Sequence, residues 1–312
     1  MTSPQLLRRA VFYVPASSPR MVQKSLTYET DNVTYDLEDS VVDGKKSEAR
    51  RALAQHLGSL RREGRSHPRE IAVRTNPLTT PHGMQDILKI TKLPSVDAIL
   101  LPKVDHAETV QAVAEVIASC DGERRLVWEA GRQQQQHENP DDNCNYYYRP
   151  LTLMALIESA RAVEYLGDIC RAGAGSISKN GDVRPGTLSG IVFGAEDLAR
   201  DLSAERTPSL AEFMYARSRM VTAARAHGVP GVVDLVCTQL DRQPTTPNSG
   251  AGVTTTTTTK TSKLEDECEN GRSMGFNGKQ VIHPSQLETV HRVFGVPREA
   301  AAWAVRVVPD AK

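Results

Sequence analysis

Short apolar runs alternate with amphipathic stretches from one end of the chain to the other. Eight runs read as strands, over residues 10–14, 33–37, 71–74, 98–102, 153–157, 191–193, 232–236 and 280–282. They are rich in Val, Ile and Leu, as expected of parallel strands covered on both faces. Between them, apolar residues recur at helical spacing. Ala49, Leu53, Leu57 and Leu60 share one predicted helix face. Val110, Val113 and Ile117 share another, and Leu210, Phe213, Met214 and Val221 a third. Ser18-Pro19 has the form of an N-cap followed by a first-turn proline. A final helix is predicted over 287–294, ahead of Pro297. Strand–helix units in this succession predict a closed TIM (β/α)8 barrel, with an open doubly wound sheet as the alternative. A single domain over residues 8–312 accommodates them all.

Three segments break the rhythm. Residues 129–149 contain a run of glutamines and the tyrosines 146–148, residues 171–187 are rich in Gly, Ser and Lys, and residues 242–263 contain a run of threonines. Such compositions cannot bury a core and predict weakly ordered loop insertions. The tyrosines are expected to be a foothold for their loop, with a binding platform as the alternative.

Charge narrows the choice of partner. The 38 basic and 38 acidic residues cancel, which argues against nucleic acid or a membrane surface. No apolar run approaches the ~20 residues of a membrane span. The first 28 residues hold Arg8, Arg9, Arg20 and Lys24 and no acid, as a mitochondrial presequence would. A strand predicted from residue 10 leaves little room for one. The 5 cysteines are scattered, without a CxxC pair or zinc spacing. They predict free thiols in a reducing compartment, cytoplasm or mitochondrial matrix, and not secretion.

The chemistry concentrates at the C-terminal ends of the predicted strands, where barrels of this kind keep it. The run LTLMALIES closes on Glu158, and GIVFGAEDL closes on Glu196 and Asp197. If the two strands are neighbours, Glu158 and Asp197 meet at one rim. Mg2+ commonly takes one or two protein carboxylates and fills its shell with water and substrate oxygens. Capping of the following helices is the other role open to the pair, and Glu196 should face elsewhere. The second strand ends in Asp36-Leu37-Glu38-Asp39. Alternation sends Asp36 and Glu38 to one side and Leu37 and Asp39 to the other. Arg74 closes the third strand, suited to a bidentate grip on a carboxylate or to an ion pair with those acids. Lys103 brings a second cation to the same rim. Arg20 and Lys24, on the first helix, would attract phosphate or simply face solvent. His283 is expected to be a packed histidine that fixes the turn into the last helix, with an acid–base role as the alternative.

Taken together, FYVPASSPRMVQKSL, YDLEDSVVDGKKSEAR, VRTNP, AILLPKV, ALIESARA, VFGAEDLARDL and GFNGKQVIHPSQ occur in that order. The set resembles the citrate lyase β-subunit-like proteins of the HpcH/HpaI aldolase and malyl-CoA lyase group. The resemblance implies a magnesium-dependent TIM barrel that makes or breaks a C–C bond in a 3-hydroxyacyl-CoA thioester. Citryl-, malyl- and citramalyl-CoA are such substrates, and the products are an acyl-CoA and a 2-oxo acid. It further implies that Glu158 and Asp197 hold Mg2+ and that Arg74 grips the carboxylate of the oxo acid. Glu38 and Asp39 would order water at the metal, and Arg20 and Lys24 would meet the phosphates of coenzyme A. A homo-oligomer, trimer or hexamer, is also implied. Family members usually continue for some tens of residues into a lid, which in malyl-CoA lyase-like members lends an aspartate to a neighbouring subunit. Here the sequence ends at Lys312 with Asp310 close to that end, so a shortened lid is expected. A binding homologue with impaired catalysis, or a pyruvate-type aldolase or thioesterase on the same barrel, are the alternatives.

Overall fold

The computed structural model describes residues 7–60, 68–138, 148–173, 183–240, 262–296, 303 and 306. Its strands are β1 (Ala10–Pro15), β2 (Asn32–Asp36), β3 (Glu70–Arg74), β4 (Ala98–Leu101), β5 (Thr152–Ile157), β6 (Leu188–Phe193), β7 (Gly231–Asp234) and β8 (Gly278–Val281). Each pairs in parallel with its neighbours in sequence, and β8 returns to β1 through Ala10↔Lys279, Val11↔Gln280 and Phe12↔Val281. The sheet is therefore a closed barrel, and the open-sheet alternative falls.

Helices cover the outside. α1 (Pro19–Ser25) follows β1, α2 (Lys46–Gly58) follows β2, α3 (Gly83–Ile90) follows β3 and α4 (Ala107–Glu138) follows β4. After β5 come α5 (Ala160–Glu164) and α6 (Leu166–Gly173), and after β6 come α7 (Ala195–Asp201) and α8 (Met214–Ala226). α9 (Lys263–Met274) follows β7 and α10 (Leu287–Val293) follows β8. No helix among the described residues is long and apolar enough to cross a membrane.

Strand periodicity sorts side chains into two layers. The outward set, including Val73, Ile99, Leu153, Ile157 and Phe193, packs with helix residues such as Leu53, Ile87, Val113 and Leu166. The inward set fills the barrel with Val11, Ala72, Ala98, Leu100, Met154, Leu156, Val192 and Val233. Below it, at the N-terminal ends of the strands, lies a polar floor. Arg8 is 4% exposed and meets both Glu70 carboxylate oxygens at 2.5 and 2.6 Å. It also donates to the Ser189 carbonyl and hydroxyl at 2.6 and 2.8 Å. This closes the N-terminal end and leaves the C-terminal end as the mouth.

Some expectations need correction. Residues 129–138 continue α4 instead of forming a loose insertion. Ala, Arg, Gln and Glu lose little side-chain freedom in a helix, so polarity alone did not make this stretch a loop. At about 48 Å, α4 is much longer than the strands it serves. Residues 171–173 likewise complete α6. The remainder of the predicted insertions lies largely outside the described residues, as do Tyr146, Tyr147 and Asp310. Tyr148 does act as a foothold, donating to Asp121 on α4 with its ring 4.8 Å from the Arg125 guanidinium. On α8 the buried face is Ala216, Arg217, Met220, Ala223 and Ala224, while Met214 is exposed. Leu60 lies beyond the end of α2.

Candidate active site

Four strand ends carry charge into the mouth. The innermost contact joins β2 to β3. Their register sets Asp36 opposite Arg74, and the Arg74 fork meets the Asp36 carboxylate with two hydrogen bonds of 2.7 Å. Its remaining nitrogen, Nη1, stands 3.1 Å from both Glu38 Oε2 and Asp39 Oδ2. The Tyr13 ring lies beneath, 5.1 Å from the guanidinium carbon. Asp36 also accepts from the backbone N–H groups of Glu38 and Ser40. The chain turns there, which places Asp39 on Arg74's side and overturns the simple alternation. Burial works against the Arg74 charge, but the bonds to Asp36 outweigh it and the pKa lies above the ordinary arginine value. Asp36 is correspondingly held below the usual carboxylate range, the Arg74 bonds overcoming its burial.

Glu38 is treated differently. It is 6% exposed, and its Oε2 stands off the hydrogen-bonding line of Arg74 and has no hydrogen-bond partner. Burial, with the charges of Asp39, Glu158 and Asp36, pushes its pKa up to about 8 against the pull of Arg74. Asp39 is largely exposed.

The second half of the mouth lies across β4, β5 and β6. Glu158 directly follows β5 and is 4% exposed. The Lys103 backbone N–H donates to its Oε1 at 2.6 Å. The Lys103 ammonium stands 3.4 Å from the same oxygen and 2.5 Å from Asp197 Oδ2. Glu158 and Asp197 thus flank one cation, as the expected pairing required. Asp197 does so from the first turn of α7, not from a strand end. Arg200 takes its other oxygen at 2.6 Å. Glu196 turns away to Arg206. Burial lifts the Glu158 pKa to about 7 despite Lys103. Asp197, less buried, is lowered because the Lys103 and Glu158 hydrogen bonds outweigh its burial.

Backbone geometry holds this half together. Lys103 has φ of 51°, a left-handed conformation that costs a non-glycine residue about 1–2 kcal/mol. Gly194 leaves the space that Glu158 fills, since a Cβ there would stand 2.5 Å from the Glu158 Cβ. Between the halves, Gln280 on β8 accepts from the Tyr13 hydroxyl at 3.0 Å and donates to the Phe193 carbonyl at 2.8 Å. The sequence reading passed over Tyr13, Gly194 and Gln280. A glutamine inside an apolar strand and a glycine just before the acids were the available signals.

Two predicted features sit apart from the cluster. Arg20 and Lys24 are exposed on α1, with Lys24 5.7 Å from the centre of the Tyr28 ring. Ser18 occupies the N-cap without making a side-chain cap bond. His283 fixes the turn into α10 by accepting from the Ser285 backbone N–H, but it is exposed and not packed as expected.

The donor set fits a hard divalent cation. Mg2+ commonly takes one or two protein carboxylates and completes its shell with water. The Lys103 ammonium already marks a cation position between Glu158 and Asp197.

The chain is similar to known proteins over most of its length. Citrate lyase subunit beta of Haemophilus influenzae is 28% identical over 98% of this chain and 86% of its own length. The mitochondrial citramalyl-CoA lyase of Homo sapiens is 27% identical over 96% and 75%. A (3S)-malyl-CoA thioesterase of Cereibacter sphaeroides is 30% identical over 92% and 76%. Protein CitE from Mycobacterium tuberculosis, solved in complex with magnesium, acetoacetate and coenzyme A, shares the fold. Its TM-score is 0.61 at 22% identity, covering 96% of this chain and 85% of that one. The family model described as HpcH/HpaI aldolase/citrate lyase matches residues 9–256, and this chain belongs to that family.

Proposed function

We propose that the protein is a magnesium-dependent carbon–carbon lyase acting on a 3-hydroxyacyl-CoA thioester of the citryl, malyl or citramalyl type. The observation that carries this reading is the placement of Glu158 and Asp197 around one cation position at the barrel mouth. A magnesium ion there would supply positive charge to polarise the oxygen that becomes the carbonyl of the 2-oxo acid. Arg74 would orient the substrate carboxylate through Nη1, the nitrogen left over from its forked contact with Asp36. Glu38 and Asp39 would hold water beside the cation. Arg20 and Lys24 would attract the phosphates of coenzyme A. The barrel beneath is filled with apolar side chains, which strengthens the interactions of Glu158 and Arg74 at the mouth. The protein would work as a homo-oligomer, a trimer or hexamer.

The 30% identity to a malyl-CoA thioesterase supports a second reading, hydrolysis of the thioester. One assay separates the two. Purified protein is given malyl-, citramalyl- and citryl-CoA with magnesium and then with EDTA, and acyl-CoA, 2-oxo acid and free thiol are followed together. A lyase forms acyl-CoA and oxo acid in equal amounts with no thiol, whereas hydrolysis releases free coenzyme A. Absence of turnover, or turnover indifferent to EDTA, would refute the magnesium-dependent lyase.

A further inference from the structure

Lys103 is the unusual member of the cluster. Its main chain is left-handed, with φ of 51°, and that conformation directs two donors of one residue at the same acids. The N–H takes Glu158 Oε1 at 2.6 Å, and the ammonium reaches Asp197 Oδ2 at 2.5 Å. The other Asp197 oxygen belongs to Arg200. Lys103 therefore engages one oxygen of each acid, Glu158 Oε1 and Asp197 Oδ2. The side chain is nevertheless 39% exposed, so the ammonium has a way out to solvent. Arg74 cannot do the same, being 13% exposed and locked by its fork to Asp36.

Accordingly, we infer that Lys103 is a built-in, displaceable counter-cation that sets the affinity of this site for divalent metal. The inference rests on the reading of Glu158 and Asp197 as metal ligands. With no metal bound, the ammonium offsets part of the charge of the two carboxylates. A dication drawn to these oxygens is repelled by the ammonium beside them, so metal uptake displaces the lysine, and the affinity observed is the metal's own reduced by the cost of that exchange. Two ligands competing for one set of oxygens are coupled reciprocally. Whatever holds the lysine in weakens the metal, and the metal frees the lysine.

Binding of Mn2+ alone, read by electron paramagnetic resonance of the free ion, tests this without turnover. The proteins are wild type, Lys103→Met, Lys103→Gln, Lys103→Arg and Glu158→Gln, each checked for native circular dichroism. Met and Gln at 103 are expected to tighten Mn2+ binding by about tenfold or more. Arg should leave it near wild type, and Glu158→Gln should weaken it. A larger rise in melting temperature with Mn2+ for the Met and Gln proteins than for wild type would agree. If Met and Gln bind Mn2+ no better than wild type while Glu158→Gln weakens it, the role of Lys103 is refuted and the metal reading stands. If neither wild type nor the position-103 variants bind Mn2+, the metal reading falls and this inference falls with it.

Discussion

Gly194 and Glu158 pack so closely that a Cβ on the glycine would lie 2.5 Å from the Glu158 Cβ and 3.0 Å from its Oε2. One of the two must move if the glycine gains a side chain. The Gly194 φ of −87° suits any residue, so the requirement is spatial and not conformational. Gly194→Ala is expected to displace the Glu158 carboxylate. Overpacking of this kind costs about 1–3 kcal/mol of stability. Misplacing a ligand through its support typically costs about 10–100-fold in metal affinity or activity. Mn2+ titration beside thermal melting checks both numbers, and a variant with wild-type affinity would show that Glu158 has room to spare.

Arg74 is expected to tolerate no substitution, lysine included. Its fork grips both oxygens of Asp36 while a third nitrogen faces Glu38 and Asp39. A lysine carries the charge but not the planar fork. Arg74→Lys should lower kcat/KM for the CoA thioester by about a hundredfold, the scale of a misplaced orienting group. Mn2+ affinity should hold, since Glu158 and Asp197 do not touch Arg74. A parallel loss of Mn2+ binding would instead make Arg74 a structural prop of the whole mouth.

The barrel and the rim acids were legible in the sequence for a physical reason. Strands such as β5 are buried on both faces and read as unbroken apolar runs, so a charge at their ends stands out. Glu158 and Arg74 were visible in this way. Asp197 was visible by type but misplaced, because a strand that ends at Phe193 and a helix that begins at Ala195 are separated by Gly194 alone. What stayed hidden depends on contacts between distant residues. Nothing local in Lys103 announces a left-handed backbone, whereas the ion pair of Arg74 with the strand-two acids was one of the two roles its position offered. The helical run past residue 128 failed for the opposite reason, since a polar composition suits a solvated helix as well as a loop.

Glu38 makes stability depend on pH with a definite sign. Its carboxyl titrates at about 8 in the fold, against about 4.3 in an unfolded chain. Between those values the folded protein holds a proton that the unfolded chain has released, so this group's contribution falls as pH rises through 8. Glu38→Gln removes the titration while keeping the shape. At pH 9 the variant should be more stable than wild type by roughly 1–3 kcal/mol, the usual cost of a poorly satisfied buried group. The gap should close toward pH 4.5. Urea melts at the two pH values measure it, and equal gaps at both would place the Glu38 pKa near that of an ordinary carboxyl.

At the opposite end of the barrel, Arg8 and Glu70 form a buried pair whose removal should be felt in stability alone. Burial opposes both charges, yet their mutual contact raises the Arg8 pKa and lowers that of Glu70. Asn32 also donates to Glu70 at 2.8 Å. Arg8→Met would leave the Glu70 carboxylate buried with Asn32 in place of a cation, and breaking one partner of such a pair costs about 3–5 kcal/mol. With the counter-charge gone, Glu70 should favour its protonated form, so the Arg8→Met deficit should shrink in acid. Adding Glu70→Gln to Arg8→Met should recover much of the loss, because no charge then remains buried. Gly231→Ala attacks the same floor from another direction, since its Cβ would stand 2.9 Å from Arg8 Nη1 and from the Ser189 carbonyl oxygen. All three proteins should keep the Mn2+ affinity of wild type at a temperature where they are folded. A loss of affinity in the folded Arg8→Met protein would mean that the floor shapes the mouth through the apolar layer between them.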